Sequence, residues 1–255
     1  MIRTRSITAV FALAMLSILA GARSVWAAPE IHRFNVVISS IATQVAAEDF
    51  NDAIDFYNKL RLRPRGLQNV KEVTFGFLHG VELSYFVRPN VTVNAGFGQL
   101  RGQTSQEFLP AIGQDIQIRA EMLSVPVHVG AAYYLAPYTQ GDFQARAYLG
   151  GGFLSNYYNR ATFQQTETNT DSLTTLGGTS RSDGTRDGPG YYVEFGAHMF
   201  FAVRYSVQIS AIYRSAVVRE LVDINTHQPI RTPDGKPFSL DTSGLGAKLG
   251  FAIGL

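Results

Sequence analysis

The sequence of 255 residues contains no cysteine, a single tryptophan and few charged residues. Without cysteine the chain can form neither disulfide bonds nor thiolate metal sites, and it has no cysteine nucleophile for catalysis. Charged residues make up 16% of the chain, against roughly 25% in ordinary soluble domains. A surface with so little charge is poorly suited to water, so the composition points away from an ordinary soluble protein.

Residues 1–27 have the pattern of a secretory signal peptide. Arg3 and Arg5 give a positive start, Ile7–Ala20 form an apolar run of 14 residues, and Val25–Ala27 supply the cleavage positions. The alternative is a transmembrane anchor, which needs roughly 20 apolar residues, and this run is shorter. We therefore expect cleavage after residue 27 and a mature domain of residues 28–255.

The predicted mature chain is close to neutral. Without Arg3, Arg5 and Arg23 it carries 19 basic and 20 acidic residues, a net charge of −1. This balance excludes the broad basic face that binding to nucleic acid requires. No later segment approaches the length of a transmembrane helix, so a membrane role for the mature chain would depend on β-strands.

Apolar residues alternate with small or polar residues through most of the mature chain. In Gly244–Leu255 the odd-numbered positions are apolar, and in a strand they would all face one side. Within residues 115–135 the apolar positions change phase upstream of Val125, which indicates either a β-bulge or a strand that projects beyond a membrane. The period of two predicts eight strands, at residues 34–44, 72–87, 91–100, 115–135, 143–158, 191–201, 207–220 and 244–255.

The connections between these strands are alternately long and short. In an antiparallel meander, all long connections then gather at one end and all short ones at the other. This asymmetry is typical of bacterial outer-membrane barrels. The third long connection is rich in Thr, Ser, Gly and Asp, and we expect it to be a mobile loop. The long connections are residues 45–71, 101–114, 166–190 and 221–243, and the short ones are residues 88–90, 136–142 and 202–206.

The first long connection contains a predicted amphipathic helix over Glu48–Leu60. Its apolar residues recur at helical spacing, acidic residues begin it, and Pro64 and Gly66 end it. A helix of this kind is either a lid or docking element over the barrel mouth, or an ordered loop that packs its own apolar stripe. The second interpretation is favoured, because amphipathic helices usually pack against their own protein.

Two phrases and the last strand resemble a known family. Val125–Leu135 is similar to the strand before a periplasmic turn in small outer-membrane β-barrels of the OmpA, OmpX and OmpW type, and Leu83–Asn90 is similar to their strand-and-turn phrase. The final strand resembles the signal read by the outer-membrane assembly machinery, with Gly250, Ile253 and Leu255 at matching places. It differs from that signal by ending on Leu instead of an aromatic residue.

The resemblance covers residues 31–255 and implies an all-β, eight-stranded antiparallel up-and-down barrel in the outer membrane. The implied partners are outer-membrane lipids, lipopolysaccharide and the assembly machinery, with no nucleic acid, and the chain is expected to be a monomer. Four long loops imply a structural or surface-interaction role with an unnamed ligand. The alternative is passage of small hydrophobic molecules, as in the OmpW type, and a lipid-modifying enzyme is less favoured.

Seven titratable side chains occupy the alternate strand positions that are predicted to face the barrel interior. An eight-stranded barrel leaves a lumen that side chains fill, and an isolated charge there is costly, so these groups should pair. We expect Glu194 to be shared between Arg214 and Lys248, with Glu82 as an acceptor for Arg146. The narrow lumen favours structural ion pairs over a proton or ion pathway. The seven residues are Glu82, His128, Arg146, Glu194, His198, Arg214 and Lys248.

The sequence gives little support to an enzyme or a metal site. Small barrels that modify lipid A use Ser and His near the outer rim, and their His-x-Ser phrase is absent from this chain. His79 has a lipid-facing parity, but Gly80 follows it and no serine lies at strand spacing. No histidine pair lies at ligand spacing either. We expect no catalytic residue, no cofactor and no metal.

A soluble lipocalin-like barrel is the main alternative outside the membrane. Such a barrel needs apolar residues inside and polar residues outside. The face that carries Glu194, Arg214 and Lys248 is too charged and too rich in glycine to form the exterior, so the membrane interpretation is favoured. Aromatic residues at the strand ends fit interfacial girdles instead: Tyr85, Phe86, Tyr133, Tyr134, Tyr157, Tyr158, Tyr191, Phe200 and Phe201.

Overall fold

The computed structural model describes residues 32–111, 114–140, 143–169, 174–187, 189–201, 204–223, 226–232 and 235–255, and the predicted signal peptide lies outside them. Within these residues no helix is long and apolar enough to cross a membrane. The described elements are, in chain order, β1 (Phe34–Gln44), α1 (Glu48–Tyr57), β2 (Phe75–Arg88), β3 (Val91–Ala111), β4 (Gln114–Tyr134), β5 (Tyr138–Gln140), β6 (Phe143–Asn169), β7 (Thr174–Asp187), β8 (Gly190–Phe200), β9 (Tyr205–Ser215), β10 (Val217–Asp223), β11 (Leu240–Asp241) and β12 (Gly244–Gly254).

Eight of these strands form a closed antiparallel ring in the order β1–β2–β3–β4–β6–β8–β9–β12. The first and last strands close the ring, with β12 paired to β1 from Asn35↔Gly254 to Thr43↔Gly246. Closure leaves no unpaired strand edge in the ring. The predicted eight-stranded up-and-down barrel is confirmed, and both of its chain ends lie at the end with the short connections.

At the opposite end several strands continue past the ring. The longest strand, β6, pairs with β8 through residues 144–154 and with β7 through residues 159–169. In turn β7 pairs with β10, and β10 pairs with β11. The ring is therefore extended on one side by a sheet that has no counterpart in a simple eight-stranded meander.

Three boundaries predicted from the sequence are wrong. The expected loop at residues 101–114 is the paired end of β3 and β4, and the expected mobile loop at residues 166–190 includes β7. These parts project beyond the apolar band, so they lack the alternation by which a lipid-facing strand is recognised. The expected strand at residues 207–220 is two strands, because the chain leaves the ring at Ala216 and β10 pairs with β7.

The inward face of β4 stays the same along the whole strand. Ile118 and Met122 are buried on this face, while Arg119 on the opposite face is exposed. The apolar phase reverses because the outward face meets water beyond the lipid, whereas the inward face joins an apolar core. The projecting-strand alternative is therefore correct for β4. The bulge lies in β6, whose Tyr157 is the extra residue between the partners of Val125 and Pro126.

The connection between β1 and β2, residues 45–74, forms a cap over this end of the ring. Its buried side chains Phe50, Ile54 and Leu62 belong to one apolar cluster with inward-facing residues of the ring strands, such as Met122. This shared cluster places the cap across the opening of the barrel. The favoured interpretation, an ordered loop that packs its own apolar stripe, is confirmed, and the packing lies across the mouth of the barrel. A lid or docking role of the helix stays a prediction.

Two buried asparagines fix the cap internally. The Asn51 Nδ2 donates to the Val73 carbonyl at 3.1 Å, and the Val73 N–H donates back to Asn51 Oδ1 at 2.8 Å. Asn58 makes the same pair of bonds with Val70, at 3.0 and 2.9 Å. These side chains give the extended backbone of the cap the partners that a neighbouring strand would supply.

The amphipathic helix predicted over Glu48–Leu60 is confirmed, with a change at its C-terminal part. After α1 the chain makes a π-helical turn over Asn58–Leu62 and a 3₁₀ turn over Arg63–Arg65. The wider π turn changes the phase of the apolar stripe. As a result Leu62 is buried in the core, whereas Leu60, which the regular spacing assigns to the stripe, is 57% exposed.

Candidate functional site

Lys248 lies in the lumen between two carboxylates. Its Nζ is 3.2 Å from Glu194 Oε1 and 3.7 Å from Glu82 Oε2. None of the three residues is more than 6% exposed. Because a buried charge is costly unless it is paired, the ammonium group and the two carboxylates stabilise each other and join β2, β8 and β12 across the lumen.

Neutral donors complete the coordination of the carboxylates. The hydroxyls of Tyr148 and Ser210 donate to Glu194 Oε1 at 2.5 and 2.7 Å. On the other side, His128 Nε2 lies 3.0 Å from Glu82 Oε2. An ionised carboxylate can only accept, so this ring nitrogen of His128 carries the proton. We call Glu82, His128, Glu194 and Lys248 the lumenal cluster.

The two arginines expected in this network lie apart from it. Arg214 pairs with Gly244 in the ring, four residues along β12 from Lys248, so it occupies a different layer of the lumen. Its Nη2 donates to Thr43 Oγ1 at 3.1 Å. The expected sharing of Glu194 between Arg214 and Lys248 is therefore wrong. Glu194 contacts Lys248, and the second carboxylate beside Lys248 is Glu82.

Arg146 and His198 lie nearer the end of the ring that has the short connections. The Arg146 Nη1 donates to the Pro89 carbonyl at 2.5 Å, and its guanidinium lies 5.6 Å from the centre of the Tyr134 ring. The expected contact of Arg146 with Glu82 is therefore absent among the described residues. His198 Nε2 lies 2.7 Å from the Ser206 hydroxyl, and His198 Nδ1 lies 3.1 Å from the Tyr134 hydroxyl.

Tyrosines are the lumenal residues that sequence reasoning missed. Tyr134, Tyr148 and Tyr192 are each no more than 4% exposed and point inward. The assignment of Tyr134, Phe86 and Phe200 to an interfacial girdle is wrong, because the first two are buried in a small cluster inside the ring and Phe200 packs against that cluster. Parity was the available signal, since Tyr192 shares the even-numbered face of Glu194.

Inward-facing glycines leave the space that these rings occupy. A Cβ added to Gly130 would collide with the Tyr192 hydroxyl, which donates to Asn94 Oδ1 at 3.1 Å. We expect Gly130→Val to displace Tyr192 and to lower the free energy of unfolding by about 1–3 kcal/mol, as overpacking usually does. Urea unfolding in lipid measures the change. The lipid-facing Ala131→Val is the control, and an equal loss in both variants would contradict the packing argument.

Glu194→Ala and Arg214→Met test the unequal partners of these charges. Glu194→Ala leaves Lys248 with one carboxylate and the hydroxyls of Tyr148 and Ser210 without their acceptor. Arg214→Met removes a cation that has no carboxylate beside it in the described residues. We expect Glu194→Ala to cost roughly 2–3 kcal/mol more stability than Arg214→Met in urea unfolding. The reverse order would contradict this assignment of partners.

An apolar groove of about 410 Å³ lies on the outer side of the cap. It runs between α1 and the projecting part of β6, with Phe56, Leu60 and Phe163 among its lining residues. Phe56 is 48% exposed, and Arg61 lies at the same groove. The groove is fixed in shape by Tyr57, whose ring packs on Phe163 at 4.7 Å between centroids. We call it the cap groove.

A surface ion-pair cluster lies beside the cap groove. Asp55 contacts Lys59 Nζ at 2.6 Å and Arg63 Nη2 at 3.2 Å. The hydrogen bond and charge of Lys59 hold the pKa of Asp55 below its ordinary 3.8. The contribution of Asp55 to stability is therefore complete above its unfolded pKa and is lost as the pH falls through the lower folded pKa.

NMR titration of the Asp55 carboxyl tests this arrangement. We expect a pKa below 3.8 in the native protein and a return toward that value in Lys59→Met. Lys71→Met, which leaves the cluster intact, is the control. A pKa that does not respond to the loss of Lys59 would show that the hydrogen bond is not its main cause.

The outward side chains of the ring form an apolar band. Ile38, Phe97, Val129, Phe195 and Leu249 are each at least 52% exposed, on five different ring strands. At the height of this band the charged side chains of the ring, such as Glu82, Glu194 and Lys248, are buried inside, which is the reverse of a soluble barrel and excludes the lipocalin-like alternative. The chain is a small transmembrane β-barrel.

Aromatic side chains border the apolar band of this transmembrane barrel at both ends. Tyr85 and Tyr205 are exposed near the chain ends, and Phe77 and Tyr213 are exposed toward the cap. Beyond the band, on the projecting part of β3 and β4, the outward face carries ions instead, with Arg101 Nε 3.0 Å from a carboxylate oxygen of Glu121. The lipid boundary therefore lies between these two kinds of surface.

No protein-family model and no curated protein matches the sequence. Among solved structures, the barrel is similar to the outer membrane protein OprG of Pseudomonas aeruginosa, with 11% identity, a TM-score of 0.44, and coverage of 88% of this chain and 96% of that one. It is similar to Neisserial surface protein A, with 12% identity, a TM-score of 0.42, and coverage of 87% and 97%. It is also similar to the outer membrane protease OmpT of Escherichia coli, with 10% identity, a TM-score of 0.31, and coverage of 87% and 96%. Likenesses at this level bring no function to this chain.

The register of the barrel places a serine beside His79, which spacing along one strand did not indicate. Ser40 of β1 lies directly opposite His79 of β2, and Gln99 of β3 lies opposite it on the other side. On β12, the partner of Ser40 is Leu249. This outward row thus combines a hydroxyl and an imidazole with an amide and an apolar side chain, whereas a hydrolase triad needs an acid to orient the histidine.

Proposed function

We propose that the protein is a non-enzymatic outer-membrane barrel that is closed to solutes and binds a ligand at the cell surface through the cap groove. The observation that carries this proposal is the double obstruction of the lumen. The lumenal cluster crosses its middle, and the apolar core beneath the cap fills its outer part. A barrel filled in this way supports a role on its outer surface, not in transport.

The chemistry of the cap groove indicates the kind of ligand. Its volume lies in the range of pockets that hold small molecules or single side chains, and Phe56 and Leu60 offer exposed apolar surface. Arg61 lies at the groove, whereas Arg65 is paired with Glu167 at 3.7 Å, so the positive charge at the groove comes from Arg61. A ligand that presents an apolar group next to a negative charge would fit this combination.

The remaining partners follow from the same proposal. Outer-membrane lipids and lipopolysaccharide would surround the apolar band, and the outer-membrane assembly machinery would recognise β12. The chain would act as a monomer, because the ring closes on itself without a second copy. The end with the short connections would face the periplasm, so that the cap lies outside the cell.

Substitutions in the cap groove test the binding role. We expect Phe56→Ser with Leu60→Ser to reduce adhesion or serum survival of cells that produce the protein to the level of a deletion strain. The paired control is Gln103→Ser with Gln117→Ser, on the exposed face of the projecting strands. Equal activity in the groove variant and the native protein, with equal amounts at the surface, would refute a binding role for the groove.

Planar bilayers test closure directly. The native barrel should show no single-channel steps, since the lumenal cluster and the cap both lie in the path. Regular steps in the native protein would overturn the closed-barrel proposal.

Mass spectrometry of lipid A tests whether the protein is an enzyme. Lipid A from membranes with native protein and from membranes with Ser40→Ala should be identical. A lipid change that depends on Ser40 would overturn the non-enzymatic proposal.

Passage of small hydrophobic molecules is the second candidate. A cavity in the lumen is lined by Glu194 and Lys248 but also by Val81 and Phe97, whose side chains lie on the lipid-facing surface. At this height Gly80 and Gly98 carry no side chain to thicken the wall. Uptake of apolar solutes by liposomes that contain the barrel would favour this function, and uptake equal to that of protein-free liposomes would exclude it.

A further inference from the structure

Three polar side chains lie on the lipid-facing surface of the ring, inside its apolar band. Ser40 of β1, His79 of β2 and Gln99 of β3 are neighbours in register, and we call them the polar row. None of the three side chains has a hydrogen-bond partner among the described residues. On β2, the exposed apolar residues Phe77 and Val81 lie on either side of His79 along the same face. Because lipid tails offer no hydrogen bonds, the polar row needs a polar partner within the membrane.

A shallow groove runs beside the polar row on the outside of the ring. Its volume is about 810 Å³, and its walls are mostly apolar, with Ile38, Phe97 and Leu249 among them. All three residues of the polar row line it as well. This volume lies in the range of sites that hold a small-molecule ligand. The groove therefore has room for an acyl chain that continues from a polar group held at the polar row.

Just beyond the polar row, toward the cap end, the outward surface is positive. Arg101 is the next outward residue of β3 after the polar row, about 7 Å further along the strand. Arg101 and Arg119 both contact Glu121 at 3.0 Å, so these three residues carry one net positive charge, and both arginine side chains are half exposed. In the row of Arg101, on β6, Arg160 has Asp183 as its partner in register, and this pair adds no net charge. An anionic headgroup at this height would meet a surface of opposite charge.

We propose that the polar row and its groove bind one molecule of lipopolysaccharide, an inference that rests on the proposed orientation with the cap outside the cell. The acyl chains of this lipid are joined to a phosphorylated sugar through ester and amide linkages just beneath the phosphates. A phosphate beside Arg101 and Arg119 places such a linkage at the polar row, where its carbonyl accepts hydrogen bonds from His79 and Gln99. An amide linkage also offers an N–H to the Gln99 side-chain carbonyl, and the ester linkages of a phospholipid lack this donor. One acyl chain then follows the groove.

Native mass spectrometry of the folded barrel with added lipid A tests the site. The native protein should retain one lipid A, and His79→Leu with Gln99→Leu should bind it about tenfold more weakly, the loss expected for one or two hydrogen bonds. The double variant places apolar side chains toward lipid, so it should fold as the native barrel does. Phe195→Leu, on the lipid-facing surface of β8 across the ring, is the control and should bind lipid A normally. Equal binding by the double variant, equal binding of phosphatidylglycerol by the native protein, or a dimer that needs His79 and Gln99 would overturn the proposal.

Labelling in intact cells tests the orientation separately. The chain has no cysteine, so Asp52→Cys on the exposed side of α1 provides a single thiol for a bulky maleimide that does not cross the outer membrane. Labelling of intact cells is the expected result and supports the orientation with the cap outside. Labelling only after lysis would overturn both the orientation and the lipopolysaccharide site. Labelling of intact cells together with unchanged lipid A binding in the double variant would refute the lipid site alone and leave the cap groove proposal standing.

Discussion

We expect Lys248→Met to lower the free energy of unfolding of the barrel by about 3–5 kcal/mol. The substitution keeps the length of the side chain but removes the one cation between Glu82 and Glu194. Both carboxylates are then left buried in the lumen, on β2 and β8, without an ammonium partner. Urea unfolding in lipid vesicles, followed by tyrosine fluorescence, measures the loss.

A triple variant distinguishes lost pairing from lost packing. In Lys248→Met with Glu82→Gln and Glu194→Gln, the volume of the cluster is kept and all its charges are removed. Replacing a complete buried ion cluster is often close to neutral, so most of the stability should return. If the triple variant is as unstable as Lys248→Met alone, shape and not charge makes Lys248 important.

The second large effect is expected in the cap. Ile54 is 1% exposed and lies in the apolar core that the cap shares with the ring strands. Ile54→Ala should reduce the local stability of the cap by about 2–5 kcal/mol through lost burial and the cavity it leaves. Hydrogen exchange of the amides of α1 reports this loss as faster exchange.

Leu60→Ala is the matched control, because Leu60 belongs to the same segment and is 57% exposed. Its effect on exchange should stay within about 0.5 kcal/mol. The ring amides of β1 and β2 should exchange as in the native protein in both variants. Equal effects of the two substitutions would mean that the cap does not bury Ile54 against the ring.

The ring was predictable from the sequence because its environment is simple. Lipid on one side and a narrow lumen on the other impose one period of two, which Gly244–Leu255 shows clearly. The projecting strands were not predictable by the same rule, since water replaces lipid on their outer face. On the projecting part of β4 the apolar residues face inward and the polar residues face outward, as Met122 and Arg119 show.

The sequence predicts which residues face the lumen better than it predicts which of them contact each other. Parity along each strand assigns Glu194, Arg214 and Lys248 to the lumen, but their heights depend on the register between strands. Arg214 pairs with Gly244, whereas Lys248 pairs with Ser210, so these two cations lie in different layers. The same limitation hid the neighbours Ser40 and His79, which are adjacent only because β1 and β2 pair in one particular register.

The attachment of the cap has a consequence for the order of assembly. The backbone N–H groups of Ala46 and Ala47 donate to the carbonyls of Ser243 and Asp241, at 3.0 and 2.9 Å. These partners stand at opposite ends of the chain, and contacts of such long sequence separation form late in folding. These two hydrogen bonds can therefore form only after residues 241–243 have reached the end of β1, so the cap is tied to the C-terminal part of the chain at the same stage at which β12 closes the ring.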